Sequence, residues 1–145
     1  MNRNEVIQIV KSAREQGKTP NLRQADLGGV DLSQVDLQRA NLYGANLRQA
    51  NLRQTNLARA NLRGANLILA DLRGANLNQA NLQEVKLRGA ILSQADLSST
   101  RLTNADLTGA DLGYSDLTGA DLTGVELTEA KLRGATMPNG KIQWF

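Results

Sequence analysis

The residues that could act on a substrate are few and poorly placed for it. The chain has no histidine and no cysteine, which removes the usual general base near neutral pH together with thiolate nucleophiles, thiolate metal sites and disulfides. Serines stand at 12, 33, 93, 98, 99 and 115 with no histidine or evident lysine to activate them. Asp106, Asp111, Asp116 and Asp121 recur every five residues. Paired carboxylates can serve as acid and base, but this spacing belongs to a motif that runs through most of the chain. Gly28-Gly29 lacks the strand–loop–helix context of a phosphate loop. We therefore expect no catalytic residue, no cofactor and no metal site, and read the chain as a non-enzyme. What remains is charge, above all Arg39, Arg48, Arg53, Arg59, Arg63 and Arg73, which we take as the candidate surface for a partner.

The elements that must position these arginines follow from one regularity. Every fifth residue from Leu22 to Leu132 is leucine, twenty-three without a miss, and Met137 and Ile142 keep the register. From Leu27 on, the residue two before each leucine is Ala at most turns, otherwise Val, Thr or Ser, and the residue directly before is usually Asn or Asp. A period of five suits no ordinary element. On an α-helix successive leucines would advance ~500° and smear around the circumference. On a strand they would alternate between opposite faces. A chain that turns a corner after each pentad brings them all to one axis. Four sides make a coil of 20 residues, and stacked coils pair their backbones at ~4.8 Å, so this all-β solenoid has about six coils and a length of roughly 29 Å. Leucines twenty apart, such as Leu42, Leu62 and Leu82, then form a ladder inside, with the alanines filling the narrow bore.

Corners follow two residues after each leucine. Glycine occupies that position nine times, at 29, 44, 64, 74, 89, 109, 119, 124 and 134, where it permits the positive φ of a type II turn. The Gln, Arg, Ser and Asn found at other corners suit type I better. Asn and Asp before each leucine bond local backbone and favour turns over helices. The pentads Ala45-Asn46-Leu47-Arg48-Gln49 and Ala110-Asp111-Leu112-Gly113-Tyr114 resemble those of the pentapeptide-repeat family, over about five-sixths of the chain. That resemblance implies a right-handed quadrilateral β-helix, and the unbroken Ala-Asn-Leu runs resemble small cyanobacterial members.

The ends differ from the middle. Val6, Ile7, Ile9, Val10 and Ala13 recur at helical spacing, which predicts an amphipathic helix over Asn4–Gln16, started by Asn2 or Asn4 and ended by Gly17 and Pro20. It would lie as a lid on the first coil, since an open β edge invites pairing. Residues 1–19 are thus expected as capping helix and linker, 20–139 as the repeat body and 140–145 as a C-terminal cap. Asn139-Gly140 signals a turn. Ile142, Trp144 and Phe145 either plug the last coil or form an end-to-end homodimer contact, an association that resembles that of several family members. Aromatics are otherwise only Tyr43 and Tyr114, as expected of a bore without room for rings.

Charge is divided along the chain. Residues 1–90 carry a balance of +6 and residues 91–145 a balance of −3, for a net charge of +3. Lys86 with Asp106, Arg101 with Asp121 and Asp111 with Lys131 lie twenty apart and are expected to pair vertically, as are Thr103 with Thr123 and Thr108 with Thr128. No stretch approaches the ~18–20 apolar residues of a membrane span, the first twenty residues lack the apolar run of a secretory signal, and the expected location is the cytoplasm. The expected function is a non-catalytic scaffold binding another protein through its outer faces. The resemblance implies an alternative, because some pentapeptide-repeat proteins mimic duplex DNA and bind type II topoisomerases. The positive net charge departs from that pattern. A third reading, nucleic-acid binding through the arginines, is disfavoured by interspersed Asp and the lack of aromatic stacking platforms.

Overall fold

Parallel backbone bridges tie residue i to residue i+20 from Asn21↔Asn41 to Asp116↔Thr136 without a gap. Four pentads therefore close one circuit in this computed structural model, which describes residues 1–145. We refer to the four sides by their leucines in the first coil, Leu22, Leu27, Leu32 and Leu37.

One pentad shows why the repeat folds this way. The Asn66 amide donates to the Ala45 carbonyl in the preceding coil at 2.9 Å, and the Leu67 and Leu69 amides donate to Lys86 and Arg88 carbonyls in the following coil at 2.7 and 3.0 Å. The Ala70 amide closes the corner onto the Leu67 carbonyl at 3.0 Å. The fifth amide, on Ile68, donates to the Asn66 side-chain Oδ1 at 3.1 Å. Five donors find five acceptors, so a corner every five residues leaves no buried amide unpaired. The Asn or Asp before each leucine thus accepts the one bond that neighbouring coils cannot offer. Where that residue is Lys86, Ile91, Arg101 or Lys131, the side-chain acceptor is missing. The straight part of each side reduces to a single bridged residue, because corners this close leave no length for a continuous strand.

The corners correct one expectation. The second central residue has positive φ at every corner from Gln24 to Gly134, including Gln34, Arg39, Leu69, Glu84, Ser99 and Tyr114. All are type II, and none of the non-glycine corners is type I. In a type I turn the central peptide is turned over, and the amide that donates to the next coil would point away from it. Stacking in register therefore imposes one turn type on all corners. It does so although the left-handed conformation costs a non-glycine residue roughly 1–2 kcal/mol.

Inside, each fifth-position leucine from Leu22 to Leu117 is at most 1% exposed, and the alanines two before them from Ala40 to Ala110 are equally buried. Three polar residues share the bore. Thr55 donates its hydroxyl to the Leu32 carbonyl, Thr100 to Leu97 and Ser115 to Leu112, at 2.7–2.8 Å. No buried side-chain polar atom lacks a partner.

The helix α1 spans Arg3–Glu15, with Asn2 as N-cap accepting from the Glu5 amide. Val6 and Val10 are buried in the core cluster, Ile9 packs against it in part, and Ile7 faces outward. Gly17 follows the helix with φ 67. At the other end Met137 keeps the register of the repeat but Ile142 does not. The chain reverses at Pro138-Asn139-Gly140 and runs back antiparallel, with Thr136 bridged to Ile142. Gln143 donates to the Ala135 carbonyl and accepts from the Gly134 amide. The reversal leaves Phe145 fully exposed and Ile142 and Trp144 about half exposed.

Candidate interaction surfaces

The outward side chains that vary most stand on the four corner columns, with others at the residue before each leucine. Arg39, Arg48, Arg53, Arg59, Arg63 and Arg73 are all exposed, but the ladder distributes them around the solenoid. Arg53 and Arg73 share the corner after the third side and Arg39 and Arg59 the corner after the fourth, while Arg48 follows the second side and Arg63 the first. Three of the six are engaged within the molecule. Arg73 grips Asp71 of its own pentad at 2.6 Å, Arg63 meets Glu84 at 3.0 Å, and Arg59 donates to the Gln79 side chain at 3.2 Å. Arg39, Arg48 and Arg53 make no side-chain hydrogen bond and leave their guanidinium donors free for a partner.

The bond from Arg73 depresses the Asp71 carboxyl below the ordinary carboxylate range, helped by the field of Arg53, and raises the Arg73 guanidinium in return. Asp31, Asp106 and Asp121 are lowered mainly by hydroxyls two residues on, from Ser33, Thr108 and Thr123 respectively. This geometry corrects the expected vertical pairs. Asp106 is engaged by Thr108 and by Arg88 at 3.4 Å rather than by Lys86, and Asp121 by Thr123 rather than Arg101. Asp111 accepts from the Gly113 amide and makes no ion pair with Lys131. Each of these three carboxylates accepts from the corner amide of its own pentad. The hydroxyls of Thr108 and Thr123 bond their own aspartates.

Three arrangements lie outside what the sequence predicts. Arg23 stacks over the Tyr43 ring at 4.7 Å, a cation–π contact between neighbouring coils. Long corner side chains also lie over glycines one coil on. Leu69 covers Gly89, where an added Cβ would stand 2.8 Å from its Cδ2, and Tyr114 covers Gly134. The third is at α1. Arg3 donates to the Asp31 and Ser33 carbonyls, Arg14 to the Asp36 and Gln38 carbonyls, and the Met1 ammonium to the Asp26 carbonyl. These are the carbonyls that every later coil presents to the coil before it. Three cations thus stand in for a missing coil on three sides. The spacing of Arg3 and Arg14, three helical turns apart on one face, was the available signal. Between α1 and the first coil runs a cleft of about 510 Å³ lined by Arg3, Ile7, Val10, Lys11, Arg14 and Val35, among others. It contains no grouping of acidic residues able to hold a metal. No helix is long and apolar enough to cross a membrane.

A square ladder of twenty-residue coils, leucine-filled and turned by uniform corners, defines a pentad-built solenoid. The family model for pentapeptide repeats matches in eight copies across residues 21–139, and the chain belongs to that family, whose members form right-handed quadrilateral β-helices. Pentapeptide repeat proteins are generally non-catalytic scaffolds. Among solved structures the chain is similar to HetL of the cyanobacterium Nostoc sp. strain PCC 7120, a pentapeptide repeat protein involved in heterocyst differentiation regulation. That match has 35% identity over 85% of this chain and 76% of that one, with a TM-score of 0.42. Rfr23 of the cyanobacterium Cyanothece 51142 matches at 28% identity over 98% and 99% of the two chains, with a TM-score of 0.44. QnrB1, a plasmid-mediated fluoroquinolone resistance protein, superimposes with a TM-score of 0.78 over 90% of this chain and 68% of that one at 22% identity, which is a likeness of fold. No curated protein matches the chain.

Proposed function

We propose that this protein is a non-catalytic scaffold that binds another protein through side chains on its outer corners. One contrast carries the reading. The bore is filled by leucine and alanine at 0–1% exposure over most of the solenoid, while the corner positions range from glycine to arginine, tyrosine and leucine. The interior serves only to hold the exterior, and repeat solenoids use such rigid surfaces for binding. Free guanidiniums at Arg39, Arg48 and Arg53 are the polar anchors that such a surface offers, since arginine is enriched at binding hot spots. The test replaces these three with glutamine and follows partner capture from the native cell beside the melting temperature. The expected result is loss of a specific partner from an equally stable protein. A full set of retained partners for these and the remaining corner substitutions overturns the reading.

The topoisomerase-binding alternative has less behind it. A net charge of +3 and exposed arginines on all four corners oppose an anionic, duplex-like surface. A gyrase supercoiling assay with the purified chain decides it, and inhibition or protection would favour the alternative.

A further inference from the structure

The two ends of the solenoid are finished in different ways. Met1, Arg3 and Arg14 occupy carbonyls on three sides of the first coil, but along the last coil the edge from Ala120 to Leu132 is bare. The amides of Leu122, Gly124, Leu127, Glu129 and Leu132 donate to no backbone carbonyl, and the carbonyls of Ala120, Val125 and Ala130 accept from no amide. One coil earlier the same positions are paired, as in Leu102 to the Asp121 carbonyl, Asn104 to Thr123, and the Thr100 carbonyl from the Asp121 amide. Behind this edge Leu122, Val125, Leu127, Ala130 and Leu132 are only partly buried, whereas Leu102, Ala105 and Leu107 are at most 1% exposed.

Residues 138–145 do not close this edge. Had the repeat continued, the carbonyls of Lys141 and Gln143 would have met the amides of Leu122 and Gly124. They accept instead from Met137 and Gly134, because the tail turns back. The first two sides stay open, and the charges standing on them are Asp121, Glu126 and Glu129, all exposed.

We propose that this edge binds an extended, apolar, cationic segment of a protein partner, which pairs with the first two sides as the start of a further coil. Each open side offers two donors and one acceptor in the order of a parallel sheet edge. A carboxylate supplies no donor for the alanine and valine carbonyls, and a helix keeps its own backbone groups occupied. An extended peptide supplies both kinds of group, as in strand addition to a sheet edge. Its inward apolar residues, five apart, would cover the half-open leucines, and the residue before each would stand beside Asp121 or Glu126, where lysine or arginine is favoured. This inference rests on the protein-binding reading above and gives it a site and a partner chemistry.

The probe is a capped peptide of two Ala-Lys-Leu-Asn-Gly pentads, titrated against the full chain with amide NMR and hydrogen exchange as readouts. We expect saturable, salt-weakened binding with exchange slowed about tenfold or more at Leu122, Gly124, Leu127 and Glu129. Two control peptides, one with glutamate for lysine and one N-methylated at both lysines, should each bind about tenfold more weakly. In a chain carrying Asp121→Lys, Glu126→Lys and Glu129→Lys, shown by amide NMR to keep the fold, the preference should pass to the glutamate peptide. Absence of protection up to millimolar peptide overturns the proposal, as does equal binding of the N-methylated form. So does a free protein that sediments as a dimer with these amides already protected, since a second copy would then occupy the edge. A cellular partner captured equally well by the triple variant would leave the scaffold reading standing while removing this site.

Discussion

Arg63 and Leu67 stand four positions apart, one exposed on a corner and the other fully buried. Leu67→Ala opens a cavity between coils that the neighbouring leucines hold rigidly, and should lower unfolding free energy by about 2–5 kcal/mol. Ala65→Leu drives the larger side chain into a bore with no spare volume and should cost about 1–3 kcal/mol. Arg63→Gln removes only a surface ion pair and should stay within about 0.5 kcal/mol of the wild type. Urea denaturation of the three variants checks the inward and outward assignment together. The corners allow a finer test. Gly64 has φ +68 and open space where a Cβ would stand, while at Gly89 that Cβ would press on Leu69. Gly64→Ala should therefore carry only the left-handed cost of about 1–2 kcal/mol. Gly89→Ala should cost more, and adding Leu69→Ala should erase the difference. The lowered carboxyls of Asp31, Asp71, Asp106 and Asp121 predict the acid response. Each protonates more readily in the unfolded chain, so unfolding takes up protons, and their stabilisation is complete above the unfolded value of about 4 and lost as pH falls through the folded values below it. Thr108→Val and Thr123→Val, by removing the largest cause at Asp106 and Asp121, should flatten the fall in melting temperature below that pH.

Among the elements, α1 contributes more than its apolar face. Burial of Val6 and Val10 seats it, but the guanidiniums of Arg3 and Arg14 each hold two carbonyls of the first coil. Replacing both with glutamine should lower stability by about 1–2 kcal/mol in total, a modest figure because both side chains are about two-fifths exposed and water competes for the same carbonyls. Lys11→Gln on the same helix makes the control, since Lys11 is exposed and makes no hydrogen bond to the coil; it should change nothing measurable in the denaturation midpoint. How much of this was legible depends on which force dominates at each place. The leucine period and the alanine bore were legible because apolar burial drives folding more strongly than anything else here, and its spacing is written directly in the residues. The helix was legible from Val6 and Val10 for the same reason. The corner type at Gln34 or Arg39 was not, because local preference there is overruled by the axial bond each corner amide must make to the next coil. The partners of Asp106, Asp111 and Asp121 were hidden because a distance of twenty residues gives the column but not the direction in which a carboxylate points. Ile142 kept the period in sequence and left it in space, since Asn139-Gly140 reverses the chain just before it.

For the whole molecule, stability is set between neighbouring coils rather than by one common core. Each coil touches only those before and after it, so protection should be greatest where both neighbours are present and the bore is closed. The burial pattern already has this form. The bore leucines are sealed from Leu22 to Leu117, then become partly exposed from Leu122 to Leu132, and the edge amides there have no acceptor. The two ends should therefore fray unequally. Native-state hydrogen exchange should find the amides of Leu62, Leu67, Leu72 and Leu77 exchanging only through the largest opening. Those of Leu102 and Leu107 should exchange faster, and those of Leu122, Leu127 and Leu132 almost without protection. At the other end the first coil should stay nearer the middle than the last, because α1 covers it and its carbonyls are held by cations. The Arg3→Gln, Arg14→Gln variant should lower protection around Leu32 and Leu37 while leaving the amides near Leu117 unchanged, since no contact passes directly between them. A uniform loss from end to end would mean that the solenoid unfolds as one cooperative body and that the coil-by-coil account of its stability is wrong.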